Sequence, residues 1–202
     1  MMENNSCIIY TDFLRPDENT AIYAHALQNA ALFSHTMVGD GENEGIVNDY
    51  WRHSLSLQAV YFKEISKILV EKIETSYPEI IEKLQIPVFE ISHFEIQLTS
   101  HNHGEFFKPH IDNGKSFKNR VITFVYYFHS FPKMFTGGQL LFLNNKPKPL
   151  IVEPENNTIV FFNSSVKHAV HPVSCPSKQF EHGRFTLNGW IRKKEETDNV
   201  KD

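Results

Sequence analysis

At Pro87 the hydrophobic period of the chain changes from 3.6 residues to 2, and this change limits the possible folds more than any other feature. Before it, a short apolar strand (Cys7 to Tyr10) leads to Pro16, Asp17 and Glu18, a helix start. Ile22, Ala26, Ala30 and Phe33 then recur at helical spacing. Phe62, Ile65, Leu69 and Ile73 mark a second helix ending at Ser76, and Pro78 opens a short third one with Ile80, Ile81 and Leu84. After Pro87, Phe94, Ile96 and Leu98 alternate with Glu95, Gln97 and Thr99, as in a strand with one wet face. Val121 to Phe128 is an unbroken β-branched and aromatic run that suits a central strand buried on both faces. Gln139 to Leu143, Leu150 to Glu153, Thr158 to Phe162 and Arg184 to Ile191 follow, separated by turn clusters such as Pro154-Glu155-Asn156-Asn157. Helices first and strands after argue against a parallel βαβ fold and predict a mainly β, α+β chain with N-terminal helices, its strands forming a sandwich or jelly roll.

The chain has 202 residues, enough for one domain that buries about two thirds of its surface. We expect a single domain over 1–192, with 1–89 as helical support, 90–192 as the β core, and a charged, frayed tail over 193–202. Seventeen Phe suit large side chains stacked between sheets. A net charge of -4 supplies no basic field, which excludes nucleic acid and anionic membranes as partners. Cys7 and Cys175 make no disulfide framework, and neither a basic-apolar leader nor an apolar run of spanning length is present, so the expectation is a soluble protein of the reducing cytoplasm. Oligomeric state has no signature.

Three H-x-acid triplets are candidates for chemistry: His93-Phe94-Glu95, His103-Gly104-Glu105 and His110-Ile111-Asp112. The pattern is short enough to arise by chance, so context must choose. In the first, Phe94 is on the apolar face, which sends His93 and Glu95 to a solvated one. The second is in a polar loop where glycine leaves neither side chain fixed. The third follows strand-like Phe106-Phe107 and precedes an Asn113-Gly114 turn, and residues i and i+2 of an extended segment project one imidazole and one carboxylate the same way. A facial two-His, one-carboxylate metal site needs a second histidine and leaves positions open for substrates. His168 and His171 are the candidates; they are out of phase, so one alone can face the metal. Arg184 opens the last strand with Thr186 on its face, and an inward Arg in an apolar barrel requires an anion.

In these blocks the chain resembles the Fe(II)/2-oxoglutarate dioxygenases, in particular the prolyl 4-hydroxylase-like branch. The ordered blocks are Gly104 to Asn113, Arg120 to Tyr127, Gly137-Gly138-Gln139-Leu140, Phe161 to Ser164 with His168 to Val173, and Gly183-Arg184-Phe185-Thr186 with Trp190. The resemblance implies a double-stranded β-helix (jelly roll) with supporting helices. It makes His110, Asp112 and His168 the iron ligands and Arg184 the partner of the distal carboxylate of 2-oxoglutarate. Tyr127 is implied to hydrogen-bond the same carboxylate, and Thr186 to stand beside it. Fe(II), 2-oxoglutarate and O2 are the implied cofactor and cosubstrates, with ascorbate a candidate reductant. The retained Asp112 favours hydroxylation over halogenation. Three positions depart from the family pattern: Gln139 follows the glycine pair where Glu is common, and His101 and Phe107 stand where tyrosines are common.

The implied reaction is hydroxylation of an unactivated C-H bond, with 2-oxoglutarate converted to succinate and CO2. The substrate is a peptide or protein residue in the first reading and a free amino acid or small metabolite in the second. A third reading is a vestigial jelly-roll binding module without catalysis. Two segments fit neither helix nor sheet, 39–49 and 130–138 with Phe131, Met134 and Phe135 before the glycine pair, and we expect them to border the mouth as a lid.

Overall fold

The computed structural model describes residues 7–39, 45–114, 117–143 and 148–195. Two helices, α1 (Pro16–Gln28) and α2 (Lys63–Leu84), pack on one face of a seven-stranded antiparallel sheet. That sheet runs β1 (Ile8–Tyr10), β13 (Thr158–Asn163), β9 (Arg120–Phe128), β16 (Arg184–Lys193), β7 (Ile91–His101), β6 (Leu55–Leu57) and β2 (Ser34–His35). A second sheet of five strands faces it: β12 (Leu150–Val152), β11 (Leu140–Phe142), β14 (His168–Val170), β8 (Phe106–His110) and β5 (Arg52–His53). Two short ladders complete the fold, β3 (Met37–Val38) with β4 (Ile46–Val47) and β10 (Thr136–Gly137) with β15 (Val173–Ser174). Two opposed antiparallel sheets with helices on one outer face make the jelly roll that the sequence predicts. Among the described residues no helix is long and apolar enough to cross a membrane.

The period of 2 distributes side chains between two interiors. From the central β9, Ile122, Phe124, Tyr126 and Phe128 enter the core beneath the helices. Thr123, Val125 and Tyr127 point the other way, into the space between the sheets. The same alternation on β16 sends Phe185, Leu187 and Ile191 to the helices and Arg184, Thr186 and Asn188 to the inter-sheet cavity.

The helical half differs from expectation in three ways. The first helix stops at Gln28, and Ala30 to Leu32 form a 3-10 turn. Asn29 ends it by donating its side-chain N–H to the His25 carbonyl at 2.9 Å. The second and third helices are one, running through Pro78. Pro78 is on the solvent side, while Leu69, Ile73, Ile80 and Ile81 before and after it are buried in one core. Burial of that common stripe outweighs the roughly 3 kcal/mol that an interior proline costs a helix. Finally, residues 1–89 contribute strands beyond the expected β1, since β2 and β6 extend one edge of the large sheet and β5 an edge of the small one. At the other end, Lys193 and Lys194 are held by Asn119 and Glu90, while residues 196–202 are outside the described ones.

Gly189 shows how closely β16 is packed. A Cβ there would meet the Glu95 carbonyl oxygen at 2.1 Å and the Phe124 ring at 2.8 Å. Gly189→Ala is therefore expected to cost about 1–3 kcal/mol through overpacking and to lower the thermal midpoint by several degrees. A calorimetric midpoint equal to wild type would contradict this packing.

Candidate active site

Antiparallel pairing of β14 with β8 sets His168 opposite His110, and Asp112 follows two residues after His110. Its backbone N–H donates to the Ser164 carbonyl at 2.9 Å, which ties the end of β8 to the turn before β14. His110 Nε2 is 3.6 Å from Asp112 Oδ1, and His168 Nε2 is 3.5 Å from Asp112 Oδ2. One ligand atom from each of the three residues lies within 4.8 Å of the others. These separations suit a facial metal site.

The backbone fixes which imidazole nitrogens are free. His110 Nδ1 contacts the Lys108 carbonyl at 2.8 Å and His168 Nδ1 the Val166 carbonyl at 2.9 Å. A carbonyl only accepts, so both Nδ1 atoms carry the proton and both Nε2 lone pairs point at Asp112. Thr123 Oγ1 donates to Asp112 Oδ2 at 2.7 Å. Burial pushes the His110 pKa down, and His168 adds to this. Burial alone would raise Asp112, but the two imidazoles and the Thr123 hydroxyl outweigh it and hold the carboxyl below its usual range. A neutral His110 beside an ionised Asp112 is what a divalent metal requires of these two groups. Phe107 stacks on the His110 ring at 3.6 Å between centroids, so the position that departs from the family tyrosine braces a candidate ligand.

The other end of the cavity holds positive charge without counter-charge. Arg184 is 2% exposed, its guanidinium carbon 4.9 Å from the Tyr127 ring centroid. Its Nη1 donates to His101 Nδ1 at 3.4 Å, which leaves the His101 proton on Nε2. Burial, then the charges of Arg184 and Arg52, keep His101 neutral. Arg184 Nε, His101 Nε2 and the Tyr127 hydroxyl are buried with no hydrogen-bond partner among the described residues. Three unpartnered donors in one buried place are costly unless an acceptor joins them. Such a grouping suits an anion. Gly138 makes the room, because a Cβ on it would stand 2.6 Å from Arg184 Cδ.

Residues 96–192 match the 2OG-Fe(II) oxygenase superfamily. The chain is 36% identical over 193 residues to an uncharacterized PKHD-type hydroxylase of Synechocystis sp., covering 91% of this chain and 62% of that relative, so it spans about three fifths of the relative's length. A Pseudomonas putida prolyl-4-hydroxylase superposes with a TM-score of 0.67 at 19% identity, over 94% of each chain. A Trichoplax adhaerens prolyl hydroxylase, solved with a hypoxia inducible factor oxygen degradation domain peptide fragment, superposes at 0.70 and 17% identity, over 94% of this chain and 84% of that one. Residues 96–192 are thus a 2OG-Fe(II) oxygenase domain, and their fold is shared with the two solved prolyl hydroxylases.

The structure brings His110, Asp112, His168 and Arg184 to one cavity with Thr186, and sets Tyr127 against Arg184. Thr186, however, turns its hydroxyl to Asn188 Oδ1 at 3.1 Å, away from the guanidinium network of Arg184. His171 is exposed, as its phase requires, and His93 is exposed beside Ser92. His103 serves a turn, its Nδ1 accepting the Cys175 N–H at 3.2 Å. Glu95 departs from the solvated face expected of it: half-buried, it accepts from Arg120 and from Arg192, and Arg120 in turn donates to the Asp112 carbonyl at 3.3 Å. Gln139 turns away to Glu153 at 3.2 Å, so that departure from the family does not reach the cavity.

Sequence reasoning missed Arg52. It is 6% exposed, lines the cavity, and donates to Ser54, Gln97 and Thr99 rather than to any carboxylate. Burial lowers its pKa to about 10, Asp112 opposing and Arg184 adding to the shift. A lone Arg at the end of a loop carries no local signal of burial. His110→Ala, Asp112→Ala and His168→Ala are each expected to weaken Fe(II) or Co(II) binding by more than about 100-fold. Thr123→Val, which removes the hydroxyl behind Asp112, should weaken it by about 10–100-fold. Metal titration against a competing chelator measures both, and a Thr123→Val curve that overlays wild type would remove the hydroxyl from the site.

Proposed function

We propose that this oxygenase hydroxylates an unactivated C-H bond of a peptide or protein residue, with His110, Asp112 and His168 holding Fe(II) and Arg184 with Tyr127 anchoring 2-oxoglutarate. The observation that carries the reading is the pairing of two unlike vacancies in one buried cavity: converging lone pairs at one end and three unpartnered donors beside Arg184 at the other. The first set fits a divalent metal and the second fits a carboxylate. When bound, iron with 2-oxoglutarate and O2 supplies the oxidising power, and 2-oxoglutarate leaves as succinate and CO2. The chain's own part is geometric and electrostatic. Asp112 and the two Nε2 atoms hold one face and leave the other open. Arg184, His101 Nε2 and the Tyr127 hydroxyl donate to the distal carboxylate and orient its carbon chain. Leu140, Val125 and Val170 wall the cavity with apolar surface and exclude water from the reacting centre.

A polypeptide substrate is supported by the surface beside β8. Met37, Ile46, Val47 and Tyr50 are exposed on the β3-β4 hairpin and the segment after it, and the Tyr50 ring holds Lys108 Nζ at 3.0 Å, two residues before His110. Exposed apolar surface on a hairpin suits contact with an extended chain. Residues 40–44 of the expected lid lie outside the described residues. In the 130–138 segment Phe135 is buried with Val173 and Cys175, Gly137 pairs with Val173, and only Phe131 stands fully free. That segment is anchored, and its glycines serve close packing.

Arg52 favours the second reading, hydroxylation of a free amino acid or small acid. A buried guanidinium without a carboxylate partner, lining the cavity near Asp112, suits a small anionic substrate. Succinate production from peptide libraries and from metabolite pools, with His168→Ala as the dead control, separates the two. Turnover confined to metabolites would overturn the polypeptide reading, and no succinate above the control from either pool would overturn the enzyme.

The anion receptor has its own test. Arg184→Met keeps the side-chain volume and removes a buried charge that lacks a counter-charge, so the 2-oxoglutarate-free protein should lose no thermal stability. Its melting point should nonetheless stop rising with added 2-oxoglutarate and a redox-inert metal, whereas that of wild type rises by mass action. Tyr127→Phe removes one hydrogen bond, worth about 0.5–1.5 kcal/mol or about 2- to 13-fold in affinity. A wild-type-sized shift in Arg184→Met would refute the assignment.

A further inference from the structure

Outside the cavity, a second group of ligand-type side chains converges without satisfying itself. His35 is on β2, Asp49 in the turn before β5, and His53 on β5 next to Arg52. Adjacent strand residues face opposite ways, so with Arg52 inside the cavity His53 is outside it. One ligand atom from each of the three lies within 4.8 Å of the others. His35 Nδ1 is 3.8 Å from Asp49 Oδ1, and His53 Nε2 is 3.9 Å from Glu105 Oε1. Both distances exceed a hydrogen bond. The two imidazoles lie parallel, 5.8 Å between centroids.

Those separations decide what fits. Bonds of about 2.0–2.1 Å around a tetrahedral zinc place neighbouring ligand atoms about 3.3–3.4 Å apart. The His35–Asp49 and His53–Glu105 pairs need to close by only about half an ångström. Glu105 is the independent sign of a ligand. It is 8% exposed, one carboxylate oxygen accepts the Asn102 N–H at 2.8 Å, and the other points at His53. Burial raises its pKa, and the nearby His53 and His35 oppose that shift.

The scaffold behind these side chains is fixed. His35 pairs with Leu55 and His53 with Phe106. The Thr36 N–H donates to the Ser54 carbonyl at 2.9 Å, and Trp51 and Arg52 both donate backbone N–H to Asn48, which shapes the turn that carries Asp49.

We propose that His35, Asp49, His53 and Glu105 form a second divalent-cation site, suited to zinc, that cross-links β2, the 48–51 turn, β5 and the start of β8 behind the active site. Two nitrogen and two carboxylate donors match zinc better than magnesium or calcium, which take oxygen alone. The site is separate from the catalytic triad, because His53 is on the face of β5 opposite Arg52 and none of the four residues lines the cavity.

Zinc counting tests it. Untagged, metal-stripped protein is saturated with Zn(II), freed of excess, and its zinc per chain measured with circular dichroism as the folding control. Wild type should hold two, Asp112→Ala one, and His35→Ala or Asp49→Asn one. The double variants Asp112→Ala/His35→Ala and Asp112→Ala/Asp49→Asn should hold none. His35 and Asp49 are exposed, so their variants fold even if His53→Ala does not. In Asp112→Ala, Co(II) should give a visible band that His35→Ala abolishes. One zinc in wild type, or one retained by either double variant, would overturn the proposal.

Discussion

Strand β14 meets β8 with His168 opposite His110, and the parts of the cavity are arranged around that cross-strand pair. Directly opposed residues in an antiparallel ladder bring their side chains within about 5 Å, so register alone supplies two imidazoles. A slip of one residue would turn His168 to the other face. The ladder shifts register between His168 and Val170, and that irregularity separates the part of β14 that faces Asp112 from the part that pairs with Phe107. Rings lock both imidazoles in place: Phe107 stacks on His110, and Phe162 meets His168 edge-on at 4.7 Å. The aromatic load of the chain therefore serves the cavity as well as the core beneath the helices.

Behind the carboxylate stands a second layer. Asp112 is held through its N–H by Ser164, through Oδ2 by Thr123 and through its carbonyl by Arg120. Arg120 is itself sandwiched between Phe117 and Trp190, 3.8 and 3.6 Å from their rings, and paired with Glu95. Glu95 also takes Arg192, so one half-buried carboxylate on β7 fixes two arginines from β9 and β16. Such outer partners decide how well a three-point site keeps its geometry when it is empty.

The legible part of this protein was whatever repeats at a fixed period or sits in one ordered block. The change of period at Pro87 foretold helices on sheets, and Val121 to Phe128 announced the central strand. The i, i+2 spacing of His110 and Asp112 foretold a shared direction. What escaped depends on contacts distant in sequence. Pro78 looked like a break because its cost is local and the burial that offsets it is not. Glu95 looked solvated because its two arginines come from 25 and 97 residues away. Gly137 and Gly138 looked like a hinge, yet both have positive φ and lie against Pro172 and Arg184. Arg52 was invisible because nothing in Tyr50-Trp51-Arg52 says which face is buried.

The charges of the cavity explain why its two vacancies belong together. Asp112 carries one negative charge against the two positive charges of Arg52 and Arg184, and His101 and His110 are kept neutral by burial. A divalent cation alone would add to an already positive interior, where charges interact more strongly than in water. A dicarboxylate alone would meet Arg184 well but leave one carboxylate among imidazoles. Metal and dianion together bring no net charge, and each supplies the counter-charge that the other's half of the cavity lacks. The proposed cofactor and cosubstrate are thus each favoured by the presence of the other, and the coupling arises from where β9 and β16 place Tyr127 and Arg184 relative to the β8-β14 pair.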